Sequence, residues 1–238
     1  MKNTIKLALA QMSCKRGDKQ ENLRRIEELT SKAKDQFADL VIFPELCVTG
    51  YINRDQYYTL AEKVPGPTTQ KIEKIAREKG LYVIFGIPEI SGKTKGTLFN
   101  TAVFVGPEGF IGKYRKMHLP THSVFEEKRY FRLGYQAAAF ETQLGNIGLC
   151  ICYDLFFPEV ARLTRLKGAQ LIVCISASPA VRKEYFEILS AARALENTAY
   201  LAYVNLVGVE DGLQFWGGSR VVSPTGKTLV KAKFDDPD

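Results

Sequence analysis

The sequence predicts an α/β fold, and three observations predict it. Short apolar runs with strand character alternate with segments whose apolar residues recur at helical spacing. The chain has 238 residues, 45% of them hydrophobic and 25% charged, which is enough apolar material for a substantial core. No Ser/Pro-rich linker, low-complexity stretch or short repeat divides it, so a single domain over residues 1–238 is expected.

The elements follow in order. Ile5–Ala10 reads as a first strand, because its apolar run is broken by Lys6 and is short for the roughly 7–15 residues of a signal-peptide core. Asp18 is placed to cap a helix in which Leu23, Ile26, Leu29, Ala33 and Phe37 share one face. Leu40–Phe43 is a short, wholly apolar run, as in a strand covered on both faces. A second helix spans Thr68 to Lys79, with Gly80 as its C-terminal cap. Tyr82–Phe85 is another buried strand. Leu98–Val105 and Phe110–Lys116 flank Gly106-Pro107-Glu108-Gly109, a hairpin turn by composition.

The second half repeats the theme. Ala139–Thr142 and Ile147–Ile151 flank a glycine-containing turn, and Pro158 opens a helix that ends near Gly168. Leu171–Ile175 is a strand, Arg182–Glu196 a helix and Ala199–Val204 a strand. Ser219–Ser223 and Lys227–Phe234 form a last hairpin across Pro224-Thr225-Gly226. The chain stops at Asp235-Asp236-Pro237-Asp238, directly after that strand, which points to a domain lacking an ordered C-terminal tail.

Charge and cysteine usage narrow the function classes. The net charge is +7, from 33 basic and 26 acidic residues, but basic and acidic residues interleave, as in Arg24-Arg25-Ile26-Glu27-Glu28. No block of like charge and no basic stripe with aromatics appears, so nucleic acid is not an expected partner. No apolar run approaches the roughly 18 residues of a membrane span. Five cysteines without a CxxC rhythm fit reduced thiols in the cytoplasm. The two histidines, His118 and His122, are separated by Pro120, which prevents a helix from presenting both to a metal. Neither a metal nor an organic cofactor is expected.

Three positions carry possible chemistry. Cys152 follows the strand Gly148-Leu149-Cys150-Ile151 and shortly precedes the helix at Pro158, so it sits at a strand-to-helix turn where backbone N–H groups can receive an oxyanion. Most free cysteines are small core hydrophobes, and the segment alone does not exclude that role. Glu45, in Phe43-Pro44-Glu45, ends a buried strand as either a loop carboxylate or a proton-transfer group. Lys116 ends the strand Phe110–Lys116 and is one of many basic residues. A Cys–His pair using His118 or His122 lacks an evident orienting group nearby.

Taken together, these segments resemble the carbon–nitrogen hydrolase (nitrilase) superfamily. Phe-Pro-Glu45, Tyr-Arg-Lys116-Met-His-Leu and Gly-Leu-Cys-Ile-Cys152-Tyr-Asp match its three motifs in order, with 71 positions from Glu45 to Lys116 and 36 more to Cys152. Thr49-Gly50-Tyr51, the run Phe125–Phe131, Ala192–Asn197 and Gly217-Gly218-Ser219 match as well.

The resemblance implies a four-layer αββα sandwich and a Glu–Lys–Cys triad. Cys152 would be the nucleophile and Glu45 the general base and then acid. Lys116 would stabilise the tetrahedral intermediate beside the Tyr153 N–H, and Glu127 would orient lysine and substrate. Tyr51, Tyr153, Phe156 and the Ser176-Ala177-Ser178 segment, Ala177 included, would line the substrate pocket, with Trp216 closing the site or serving a dimer. Tyr153-Asp154 after the nucleophile resembles the amidase-type branches, so hydrolysis of a small amide is expected. A nitrilase, a glutaminase-type partner subunit and a non-catalytic scaffold are the alternatives. The resemblance also implies a homodimer or higher homo-oligomer through Pro158–Lys167 and Arg182–Asn197.

Overall fold

A computed structural model of the chain describes residues 4–234; the expected missing tail at Asp235–Asp238 lies outside them. The elements alternate in two similar halves. The first contains β1 (Leu7–Leu9), α1 (Lys19–Asp35), β2 (Leu40–Ile42), α2 (Tyr57–Leu60), α3 (Pro67–Lys79), β3 (Tyr82–Ile90), β4 (Leu98–Gly106) and β5 (Gly109–Arg115). The second contains α4 (Glu127–Tyr130), β6 (Ala138–Thr142), β7 (Gly145–Ile151), α5 (Pro158–Leu166), β8 (Leu171–Ser176), α6 (Lys183–Asn197) and β9 (Tyr200–Asn205). It ends with β10 (Val207–Glu210), β11 (Leu213–Trp216), β12 (Arg220–Val222) and β13 (Thr228–Lys231).

The expected caps are in place. Asp18 accepts the Glu21 N–H at 3.1 Å at the start of α1. Gly80 closes α3 in the left-handed conformation, with φ 64°. Phe37 departs from expectation. The helix stops at Asp35, and Phe37 turns out with φ 59° and 82% exposure, so it packs on nothing that helical spacing implied.

Two sheets result. In the first, of order β1-β2-β3-β4-β5, the first three strands are parallel and the rest antiparallel. In the second, of order β13-β12-β9-β8-β7-β6, the central β7, β8 and β9 are parallel. Period-2 alternation divides each strand between two environments. Leu40, Ile42 and Ile84 share a core with Ile147, Leu149 and Val173 of the other sheet, while Val41, Phe43, Val83 and Phe85 pack with Ile26, Ile72 and Ala76 of α1 and α3. Helices α5 and α6 cover the far face of the second sheet through Val160, Ala161, Phe186 and Ala194. This is the αββα sandwich, and it brings the ends of β2, β5, β7 and β8 to one rim, the usual position for a site in α/β sheets.

The hairpin β10–β11 is absent from the sequence reading, although its signal is present. Asp211-Gly212 separates Val207–Glu210 from Leu213–Trp216, and both turn residues have positive φ, 50° and 79°.

Candidate active site

Glu45 leaves β2 in a sharp turn that lies on β3. A Cβ on Gly86 would sit 2.2 Å from the Leu46 nitrogen, so glycine permits that approach. The Glu45 carboxylate is fully buried, with Oε1 accepting from Lys116 Nζ at 2.6 Å and from Asn100 Nδ2 at 2.7 Å. Its Oε2 accepts the Ala177 N–H at 2.8 Å. Asn100 serves both partners, because its carbonyl also accepts the Lys116 N–H at 2.9 Å. Lys116 Nζ donates a second bond to Glu127 Oε1 at 2.6 Å, and that oxygen also accepts from the Tyr51 hydroxyl at 2.5 Å. Glu127 Oε2 is buried and without a hydrogen-bond partner.

Cys152 lies at the end of β7 with φ 47°, a strained left-handed conformation for a non-glycine residue. Asp154, also fully buried, holds this turn. Its Oδ2 accepts the Ile151 N–H at 3.0 Å and the Tyr114 hydroxyl at 2.8 Å, and its Oδ1 accepts the His118 N–H at 2.9 Å. Tyr114 and His118 bracket Lys116, so one carboxylate fixes the cysteine turn to the lysine segment. The His118 ring meets Asp154 at 3.0 Å and stacks on Phe157 at 3.6 Å, so Asp154 is the orienting group that the sequence did not make evident. The charged groups acting on the Cys152 thiol, however, are Glu45, Lys116 and Glu127.

The charges sort the protonation states. Burial opposes the Lys116 ammonium, yet Glu127 and Glu45 outweigh it and hold its pKa well above the ordinary value. Burial and then the Glu45 charge push the Cys152 thiol up, against the opposing pull of Lys116 and the Ser176 hydroxyl. The resting sulfur is therefore a thiol, and the adjacent ammonium alone does not ionise it. Burial and Glu45 likewise raise Glu127 to about 7, although Lys116 and Tyr51 pull it down.

Glu45, Lys116, Glu127 and Cys152 thus converge in one electrostatically coupled cluster. The residues expected to line a pocket divide. Tyr153 and Phe156 line a crevice of about 20 Å³ at Cys152, together with His122, Phe125 and Arg182. Tyr51 lines a separate cleft of about 280 Å³ with Glu127, Tyr57 and Leu213. The 120–127 segment runs between the two, with Phe125 on the crevice and Val124 and Glu126 on the cleft. Ala177 is buried and lines neither, and Ser176 and Ser178 are buried beside it. Trp216 neither closes the site nor faces solvent. It is buried against Tyr203 with its Nε1 3.4 Å from the Ser178 hydroxyl. Asn100 and Asp154 are site-organising groups that the sequence reading does not single out, although Tyr153-Asp154 within the cysteine motif is a visible signal for the second.

This arrangement belongs to a known family. The carbon-nitrogen hydrolase model matches residues 6–236, so the chain is a member of that family, enzymes that hydrolyse carbon–nitrogen bonds. Among curated relatives, a nitrilase of Pyrococcus abyssi is 39% identical, covering 96% of this chain and 85% of the relative. The omega-amidase NIT2 of Bos taurus is 36% identical, covering 98% and 86%. Among solved structures, the NitN amidase from Nesterenkonia sp. AN1 superposes with a TM-score of 0.89 at 30% identity, over 99% of this chain and 91% of that one. A mutant of that amidase carries acrylamide added at its active-site cysteine. Nit3 of Saccharomyces cerevisiae superposes at 0.90 with 29% identity, over 98% and 87%.

Proposed function

We propose that the enzyme hydrolyses a small amide to a carboxylate and ammonia through a thioester on Cys152. The observation that carries this reading is the Lys116 ammonium clamped between Glu45 and Glu127 beside the Cys152 thiol. Glu45 takes the thiol proton as sulfur attacks the amide carbon, because a thiol held high needs a base at the moment of attack. The developing oxyanion is met by Lys116 and the Tyr153 N–H. Protonated Glu45 then gives its proton to the nitrogen, the C–N bond breaks and ammonia leaves. Water, deprotonated by Glu45, attacks the thioester and releases the acid and the Cys152 thiol. Glu127 orients Lys116 and the substrate, Tyr153 and Phe156 shape the crevice at Cys152, and Tyr51 acts through its hydroxyl on Glu127. No metal or cofactor takes part.

The amidase chemistry of the Nesterenkonia and NIT2 relatives supports amides over nitriles, and the relative named nitrilase keeps nitriles as the second reading. Exposed Leu163 and Leu166 on α5 and Ile188 and Leu195 on α6 support a homodimer through these helices. Among the described residues no helix is long and apolar enough to cross a membrane; action in the cytoplasm remains part of the proposal.

The test is an ammonia-release screen over small amides, ω-amides, N-carbamoyl compounds and nitriles, with Cys152→Ala alongside. Amide turnover that vanishes in the alanine variant is expected. Ammonia release that survives the substitution rejects the mechanism, and faster turnover of nitriles than of the matching amides rejects the amidase assignment.

A further inference from the structure

The hairpin β10–β11 grips one residue of the site at two points. Glu210 ends β10 as a carboxyl group buried to 6% exposure, with its Oε1 lacking a hydrogen-bond partner among the described residues. Its Oε2 accepts the consecutive N–H groups of Tyr51 at 2.8 Å and Ile52 at 2.9 Å. Phe215, on the partner strand β11, packs edge-on against the Tyr51 ring with centroids 5.9 Å apart. Gly50 makes room for this clamp. It has φ 79°, and a Cβ there would lie 3.1 and 3.3 Å from the two Glu210 oxygens. The Tyr57 hydroxyl donates to the Tyr51 carbonyl, so both backbone polar groups of Tyr51 are held by side chains. The phenol held in this way donates to Glu127 Oε1, the same oxygen that receives Lys116.

We infer that Glu210 is a positioning residue of the enzyme, acting through Tyr51 to set the Glu127–Lys116 end of the site. The inference rests on the catalytic reading of Glu127 and Lys116. Burying a carboxyl group with one oxygen unpartnered is costly, and what the other oxygen secures is the pair of N–H groups that fixes where Tyr51 stands. The chain beyond the loop explains the expense of precision here: an oxyanion donor misplaced by about 1 Å loses on the order of 10²-fold in rate. Glu210 touches no reacting atom. Its effect is expected to pass entirely through the Tyr51 hydroxyl.

A double-mutant cycle of Glu210→Ala and Tyr51→Phe tests this, with Glu210→Gln as the conservative control. Two rates are read on the full chain: kcat on the amide turned over fastest, and alkylation of Cys152 by iodoacetamide followed by mass spectrometry of its peptide. Lys116 favours the thiolate, so a displaced ammonium slows alkylation whether or not any amide is a substrate. Glu210→Ala is expected to lower both rates at least about fivefold. Glu210→Gln, which keeps an oxygen acceptor, recovers them to within about twofold. On the Tyr51→Phe background Glu210→Ala adds less than about twofold. Losses that multiply across the two backgrounds, or a glutamine variant as slow as the alanine one, overturn the inference. Should Glu210→Ala fail to fold, Phe215→Leu loosens the other grip and must show the same non-additivity with Tyr51→Phe. A non-additive alkylation cycle in a protein that hydrolyses no amide rejects the amidase reading alone; robust amide hydrolysis with additive losses rejects the positioning role alone.

Discussion

Two buried acid–base clusters sit at and beside the end of the same strand, β5, and their charge counts differ. At one, Glu89 receives Lys113 at 2.6 Å, Arg115 through Nε at 2.9 Å and Nη2 at 2.5 Å, and the Thr101 hydroxyl at 2.8 Å. One acid has two cations. Burial is offset by Arg115, Lys113 and Thr101, and the Glu89 pKa falls below its ordinary value. At the other, one residue along, Lys116 is shared by Glu45 and Glu127, so two acids have one cation. Glu127 rises to about 7, with an oxygen left unpartnered. The first cluster is saturated and structural. The second is short of one positive charge, and burial together with the Glu45 charge raises Glu127.

The comparison breaks most visibly at Lys116. Lys116→Met removes the cluster's cation and, on the proposed mechanism, an oxyanion donor, and we expect kcat to fall by at least about 10³-fold. Amide hydrolysis within tenfold of wild type would show that the deficit cluster is merely structural. At the saturated cluster the loss should be stability instead. Glu89→Gln is expected to cost about 1–3 kcal/mol in urea unfolding, below the usual figure for a broken buried pair because Lys113 and Arg115 reach solvent. Its kcat should change less than about threefold; a larger drop with unchanged stability would erase the distinction.

The two clusters should also titrate with opposite sign. Glu127 binds its proton more tightly in the folded chain, so its contribution to stability is full below its ordinary pKa and fades as pH rises through about 7. Glu89 binds its proton less tightly, so its contribution is present above its ordinary pKa and fades as pH falls through the lowered one. Glu89→Gln should flatten the acid side of a stability–pH profile, while Glu127→Gln flattens the slope just below neutrality. In the wild type kcat/KM should climb with pH through a limb near 7, where Glu127 gives up its proton. A flat profile from pH 6 to 8 would contradict that. The smallest effect belongs to Lys113→Met. Arg115 keeps its two bonds to Glu89, so the cost should be about 1 kcal/mol or less by thermal melting.

Much of this was legible in the sequence. Asp18 and Gly80 cap their helices as read, and the buried runs Leu40–Phe43, Tyr82–Phe85 and Leu171–Ile175 fall within or against observed strands. Glu45, Lys116 and Cys152 were placed at strand ends by local pattern alone. Phe37 was misread because helical spacing carries no information about where the chain leaves the helix. The β10–β11 hairpin was passed over although Asp211-Gly212 marks it.

What the sequence by itself determined is what depends on near neighbours: alternation of period two, helical spacing, caps and turns, and the motifs at strand ends. Tertiary structure decided which partners those groups meet. Asn100 reaches Glu45 across 55 residues and Glu210 reaches Tyr51 across 159. As letters Glu89 and Glu127 are the same residue. One is driven down and the other up because desolvation and Coulomb forces sum over every group brought close, and only the fold fixes that set.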